Sequence, residues 1–502
     1  MNEFDVVIVG AGLSGIGSAY HLSKHCPGKT YTILEGRSAL GGTWDLFRYP
    51  GVRSDSDMHT LGYNFKPWRA AKSIADGPAI LEYVQETADE NAIVENIRYN
   101  HMVQSAEWSS DNARWLVTTT HDGQEVQFSC NFLLMCSGYY NYAQGYTPEF
   151  TGLQSFGGTV VHPQHWPEDL EYAGKKIVVI GSGATAMTLV PAMARDAESV
   201  TMLQRSPTYV VSRPDHDVVA NLLRKILPEK WAYALTRFKN TQMQAFVYKQ
   251  TRTAPEKVKK RLIEMVRKAL GPDYDVDKHF TPRYNPWDQR LCLIPNADLF
   301  DSIRGGKTKI VTEIIDCITQ DGVKLKNGEV LAADILVTAT GLNLQLLGGV
   351  QFTKDGEAIH FPDTVSYKGM MYSGIPNLVQ TFGYVNASWT LRADLTAEYA
   401  CRVINHMDKL AVSQVTPQLR DEDADMALGP WIEDFSAGYM QRVMHLFPKQ
   451  GHKDPWRNTQ DYALDKKLIR RAPIEDGALI FGPLPEATTT AVPADELARS
   501  AA

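Results

Sequence analysis

The chain has 502 residues, 44% hydrophobic and 22% charged, which suits a globular protein of two or three domains rather than a disordered or fibrous one. The formal net charge of −7 argues against a nucleic-acid partner, and no run of 18 apolar residues offers a membrane-spanning helix. The six cysteines are scattered without a C-x-x-C pair and the first residues lack the basic start and apolar core of a signal peptide, so a cytoplasmic location with free thiols is expected.

Asp5-Val6-Val7-Ile8-Val9 is a short run, apolar from Val6 on, ended by Gly10-Ala11-Gly12-Leu13-Ser14-Gly15. This reads as a buried parallel strand, a tight turn and a helix. Gly10 permits the turn, Gly12 lets backbone N–H groups approach a pyrophosphate, and Gly15 lets helix and strand pack closely. A second strand over 31–34 ends in Glu35, 20 residues beyond Gly15, where a carboxylate can accept hydrogen bonds from ribose hydroxyls. The same grammar returns at 175–180, followed by Gly181-Ser182-Gly183-Ala184-Thr185-Ala186, with alanine in the last glycine's place. Its second strand, over 200–204, ends in Gln204-Arg205-Ser206. A carboxylate there would repel a 2′-phosphate, whereas the Arg205 guanidinium can bind one, which favours NADPH over NADH.

From 215 the pattern changes. Leu222, Ile226, Trp231, Leu235 and Phe238 recur at helical spacing with no strand between them, which predicts a helical insertion. Residues 221–270 hold thirteen Lys or Arg and three acids. The preferred reading is a solvated lid whose apolar side covers a substrate pocket; the second is weak peripheral contact with an anionic membrane, on the inner membrane surface. A strand over 334–338 ends at Ala339-Thr340-Gly341, and Cys136-Ser137-Gly138 is its earlier counterpart. Further on, Leu391, Leu395, Tyr399 and Val403 stand four residues apart on an amphipathic helix. From residue 484 the chain turns to Thr, Ala, Pro and Glu without periodicity and reads as a disordered tail. The histidines form no metal-site spacing, and no metal is expected.

Between the two glycine turns lies Phe156-Gly157-Gly158-Thr159-Val160-Val161-His162-Pro163-Gln164-His165-Trp166-Pro167. This F-x-G-x-x-x-H-x-x-x-W-P pattern resembles the fingerprint of type I Baeyer–Villiger monooxygenases. The stretch from Gly41 to Asp55, with Trp44 and Tyr49-Pro50-Gly51, resembles a second pattern of that family, and Pro286-Trp287-Asp288-Gln289-Arg290 resembles the segment that presents its catalytic arginine. The local wording is similar to the subgroup that includes the ethionamide-activating monooxygenase of mycobacteria. Many relatives carry lysine where this chain has Gln289, and some carry a tyrosine where it has Leu61, with Tyr63 nearby as a candidate substitute.

The resemblance implies an α/β fold with two Rossmann-like dinucleotide-binding domains, for FAD and NADP, and a helical insertion. The FAD domain is expected over 1–155 and 341–483, the linker and NADP domain over 156–214 and 283–340, the insertion over 215–282, and the tail over 484–502. Ser14, Thr43, Trp44 and Asp45 would lie along the flavin, Val103 would meet the adenine, and Arg53, Ser54 and Asp55 would face the flavin–nicotinamide junction. Arg290 would be catalytic with Asp55 as its partner. Phe156, Gly158, His162 and Trp166 would form the interdomain linker, with His162 hydrogen-bonding across it. The implied reaction uses FAD, NADPH and O2 to convert a ketone to an ester or lactone, with oxygen activated at the flavin C4a carbon. The alternative is oxygenation of sulfur or nitrogen, for example in a thioether.

Overall fold

Strand Asn2–Val9 runs through a nine-stranded sheet, parallel to Tyr31–Leu34 on one side and to Gln124–Met135 on the other. Val6 and Ile8 point into one apolar core and Val7 and Val9 into another, which is why the run is apolar without alternation. The structure is a computed structural model that describes residues 2–433 and 435–483, so the expected tail from 484 lies outside the described residues. Helices Leu13–His25 and Trp389–Leu410 pack together on one face of the sheet. An antiparallel meander of Met102–Ser109, Arg114–His121 and Gln124–Met135 extends it, and Leu378–Gln380 returns late in the chain to pair with Gln124–Met135.

The second sheet is wholly parallel, with five strands in the order Thr308–Thr312, Ser199–Gln204, Lys176–Ile180, Ile335–Thr338 and Thr159–Val161. Here too Ile177 and Val179 face one core while Val178 and Ile180 face the other. The chain crosses between the sheets twice. Directly after the crossings, Tyr140–Gly145 and Leu342–Leu344 pair as an antiparallel ribbon. The insertion comprises helices Val218–Ile226, Glu229–Thr253, Pro255–Leu270 and Val276–Phe280. Among the described residues no helix is long and apolar enough to cross a membrane.

Candidate active site

A continuous cleft of about 2380 Å³ joins the two glycine turns. Gly10 has φ +102°, and a Cβ there would lie 2.6 Å from the carbonyl oxygen of Cys136. Gly181 repeats this with φ +138° and a Cβ position 2.1 Å from the carbonyl oxygen of Ala339. Each turn is therefore wedged against the loop that leaves a neighbouring strand, and a side chain would force them apart. The following helices start at Gly12 and Gly183 with no side chain capping them. Their free N–H groups and positive dipole ends border the cleft, as a pyrophosphate requires. A Cβ on Gly183 would meet nothing within 4 Å, so the space over that turn is open. Gly15 and Ala186 serve packing: a Cβ on Gly15 would lie 1.8 Å from the Gly10 carbonyl oxygen, and Ala186 is buried. The residues present thus fit two dinucleotides.

In the first half, Glu35 is buried at the cleft edge and accepts hydrogen bonds from the backbone N–H of Ala11 (2.7 Å) and of Arg37 (2.9 Å). Burial raises its carboxyl pKa. Ser14, Thr43, Trp44 and Val103 border the cleft, with Thr43 Oγ1 3.2 Å from Tyr142 Oη. Asp45, the neighbour of Trp44, does not itself border the cleft. It is buried outside the cleft, where it pairs with Arg37 (2.7 Å) and Arg48. These two ion pairs brace the loop that carries Trp44. Tyr63, the candidate substitute near Leu61, does not border the cleft. It is fully buried, donating to the Leu13 carbonyl (2.8 Å), while Leu61 itself borders the cleft.

In the second half, Ser182, Ala184, Thr185, Arg205 and Ser206 border the cleft, and Arg205 and Ser206 are exposed at its rim. Ser182 Oγ lies 3.0 Å from Thr208 Oγ1, which holds the turn. Gln204 donates its amide to the His279 carbonyl and to Thr312 Oγ1, both at 2.8 Å. The position where an acid would bind ribose is thus tied into the sheet, leaving Arg205 as the side chain at the strand end.

Between the halves stand Arg53, Ser54 and Asp55. Arg53 pairs with Asp298 at 2.6 Å, and the Ser54 hydroxyl donates to the Ser56 carbonyl at 2.5 Å. Asp55 meets Arg290 across 235 positions of sequence, Oδ2 to Nη1 at 3.0 Å. Arg290 leaves a loop that is tied on both sides. Asp288 pairs with Arg252 of the insertion (2.9 Å), and its carbonyl accepts from the Ser436 N–H (2.8 Å). Trp287 at the loop's tip takes φ +69°.

Sequence reasoning missed the tyrosines around this arginine. Arg290 Nε donates to Tyr439 Oη and Nη2 to Tyr139 Oη, both at 3.3 Å, and Tyr139 Oη lies 2.8 Å from Tyr140 Oη. The surrounding oxygens, that of Tyr439 foremost, raise the pKa of Arg290, so it keeps its proton. Burial pushes the Tyr139 hydroxyl up to about 12, so it stays protonated as well. Tyr139 stacks on Trp389 at 5.0 Å, and Trp389 Nε1 donates to Ser14 Oγ at 2.8 Å. The arginine is thereby linked to the first glycine turn. Tyr139-Tyr140 directly after the Cys136-Ser137-Gly138 crossing was the only signal available in sequence. The uncapped start of helix Trp389–Leu410 also borders the cleft at Ser388 and Trp389.

His162 lies away from the cleft lining, next to the ribbon. Its Nε2 donates to the Gly341 carbonyl (3.2 Å) and its Nδ1 accepts from the Gln164 N–H (3.1 Å). Burial lowers its pKa, which keeps the ring neutral and able to do both. A Cβ on Gly145 would fall 2.0 Å from the ring, and one on Gly158 would fall 2.2 Å from the Asp334 carbonyl oxygen. Phe156 and Trp166 pack against the two cores of the second sheet. His162→Ala should therefore leave FAD bound and the protein soluble while oxygenated product per NADPH falls. Flavin absorbance after gel filtration, with product yield, checks this; loss of FAD would show a folding role instead.

Two dinucleotide sites opening on one cleft, with an arginine–aspartate pair between them, define a two-dinucleotide flavoprotein oxidoreductase. The model of the flavin-binding monooxygenase-like family matches residues 73–415, and that of the NAD(P)-binding Rossmann-like domain matches residues 8–73. The chain is 53% identical over 480 residues to the FAD-containing monooxygenase EthA of Mycolicibacterium smegmatis, covering 95% of this chain and 97% of that protein. It is 46% identical over 481 residues to the probable FAD-binding monooxygenase AlmA of Acinetobacter baylyi, covering 95% and 96%. Among solved structures it is similar to an oxidized steroid monooxygenase bound to NADP, with TM-score 0.78, 22% identity and coverage of 96% and 100%. An open cyclohexanone monooxygenase gives TM-score 0.75 at 20% identity, with the same coverage. The chain belongs to the flavin-binding monooxygenase-like family, and its cofactors are FAD and NADP(H).

Proposed function

We propose that this monooxygenase carries out Baeyer–Villiger oxidation, turning a ketone into an ester or lactone at the expense of NADPH and O2. Arg290 and Asp55 are the catalytic pair in this reading. FAD, when bound, accepts a hydride from NADPH and activates O2; the chain's own residues bind, orient and stabilise charge. The uncapped helix starts at Gly12 and Gly183 would hold the two pyrophosphates, and Ser14 would lie along the flavin. Arg205 and Ser206 take the 2′-phosphate, while Arg53 and Ser54 border the nicotinamide side. The observation that carries the reading is Arg290 itself, bound at once to Asp55, Tyr139 and Tyr439 at the meeting point of the two sites. Attack on a ketone places negative charge on the former carbonyl oxygen, and a fixed guanidinium there stabilises it. The Asp55 pair holds the guanidinium, and being partly open to the cleft it also lets it shift.

The same site supports a second reading, oxygenation of sulfur or nitrogen. The hydroxyls of Tyr139 and Tyr439 beside Arg290 are hydrogen-bond donors that would favour electrophilic use of the oxygen FAD supplies when bound. Product identification with matched ketones and thioethers separates the two. Esters from ketones support the first reading, and sulfoxide without any ester overturns it.

Tyr439→Phe should keep FAD and its reduction by NADPH, yet divert more NADPH to hydrogen peroxide. One lost hydrogen bond to a charged group corresponds to a roughly tenfold fall in product rate. Peroxide released per NADPH measures it, and unchanged coupling would remove Tyr439 from this role.

A further inference from the structure

The insertion carries an apolar face that the cleft does not use. Helix Glu229–Thr253 is fixed by its inner side. Tyr233 donates to the Tyr63 carbonyl (2.8 Å), and buried Arg237 donates to the carbonyls of Gly62 (2.7 Å) and His59 (2.9 Å). At 100° per residue, Trp231, Ala234, Leu235, Phe238, Gln242 and Ala245 share the opposite arc, and all are exposed, Trp231 at 68% and Phe238 at 64%. That arc bears no charge between Lys230 and Lys249. The preceding helix, Val218–Ile226, adds Leu222 at 56% and Ile226 at 66% exposure. The expectation that this apolar side covers the pocket is thus only half met. Val218, Val219, Met243 and Phe246 border the cleft and are also exposed, while the Trp231–Phe238 stripe turns outward.

We propose that this stripe docks the protein on the surface of an anionic bilayer. Exposed Lys225 and Lys230 flank the turn between the two helices, and Lys257, Lys260 and Arg261 are exposed further along. With thirteen basic and three acidic residues over 221–270, this segment is the part of a chain of net charge −7 that an anionic surface attracts. A rigid apolar stripe with a tryptophan, rimmed by lysines, fits the headgroup–acyl boundary. A second copy fits poorly, because a two-fold contact through this face would set the same cationic segments against each other. Docking also brings the exposed cleft-lining residues Val218 and Phe246 beside the lipid, so an apolar substrate can pass from bilayer to cleft. That last consequence rests on the proposed oxygenase reading; the docking does not.

The test is flotation of the FAD-bound protein with phosphatidylcholine vesicles, with and without phosphatidylglycerol, at low and high salt. Binding is expected to the anionic vesicles at low salt and to fall with salt. Trp231→Ser with Phe238→Ser should weaken it at least about tenfold, because two large apolar anchors are lost. Lys225→Glu with Lys230→Glu should weaken binding to anionic vesicles only. None of these four residues borders the cleft, so flavin absorbance and NADPH oxidation should be unchanged, which separates loss of docking from loss of fold or of the oxygenase reading. No flotation with anionic vesicles, or flotation indifferent to the serine pair, overturns the proposal. A dimer in light scattering that the serine pair dissociates would assign the face to a second copy instead.

Discussion

Replacing Arg290 with alanine should leave FAD bound and reducible by NADPH while ester formation falls roughly a hundred- to a thousandfold. The magnitude is that of removing one preorganised donor from a site where charge develops, about 2.7–4 kcal/mol. Arg290 belongs to neither glycine turn, so cofactor affinity rests on other residues. Its loss leaves Asp55 without its guanidinium and the hydroxyls of Tyr139 and Tyr439 without the donor they receive. NADPH should then be consumed slowly, with hydrogen peroxide as the product. Lysine would be a poor replacement, because it cannot meet Asp55 and both tyrosines in one plane. Anaerobic stopped-flow bleaching of the flavin, followed by product analysis in air with a ketone, separates reduction from oxygenation. Ester formation near the wild-type rate would refute the assignment.

Arg205→Ala should raise the KM for NADPH about tenfold and leave that for NADH nearly unchanged, the loss expected of one charge-assisted phosphate contact that water partly screens. The side chain is exposed at the rim of the cleft, which sets this at the lower end of what a buried phosphate contact would give. The adjoining Gln204 is committed to His279 and Thr312 and cannot take over. Steady-state kinetics with both cofactors decide it, and equal changes in the two KM values would remove Arg205 from this role. Raising the salt concentration should narrow the difference between the cofactors in the unaltered protein.

The local units of this fold are written in short stretches of sequence. A strand buried on both faces must be apolar at every position, and a turn wedged against a neighbouring carbonyl must be glycine. Residues 5–15 and 175–186 therefore announced their structure, and the helical spacing of residues 222–238 announced the insertion. The linker pattern around His162 came from resemblance alone; its hydrogen bonds to Gly341 and Gln164 appear only in the fold. What the chain's own order could not state is which distant groups meet. Asp55 and Arg290 come together only because two sheets fold around one cleft, and Tyr439 joins them from the returning C-terminal part. Asp45 shows the limit most plainly. Its motif implied a place along the flavin but carried no sign of its ion pairs with Arg37 and Arg48. Likewise, spacing alone showed that Trp231, Leu235 and Phe238 share a helix face. Whether that face turns to the cleft or to solvent was decided by Tyr233 and Arg237, whose hydrogen bonds to the first domain fix the rotation of the helix. Side-chain periodicity is a property of the local backbone, whereas the direction in which a face points depends on what the rest of the chain packs against it.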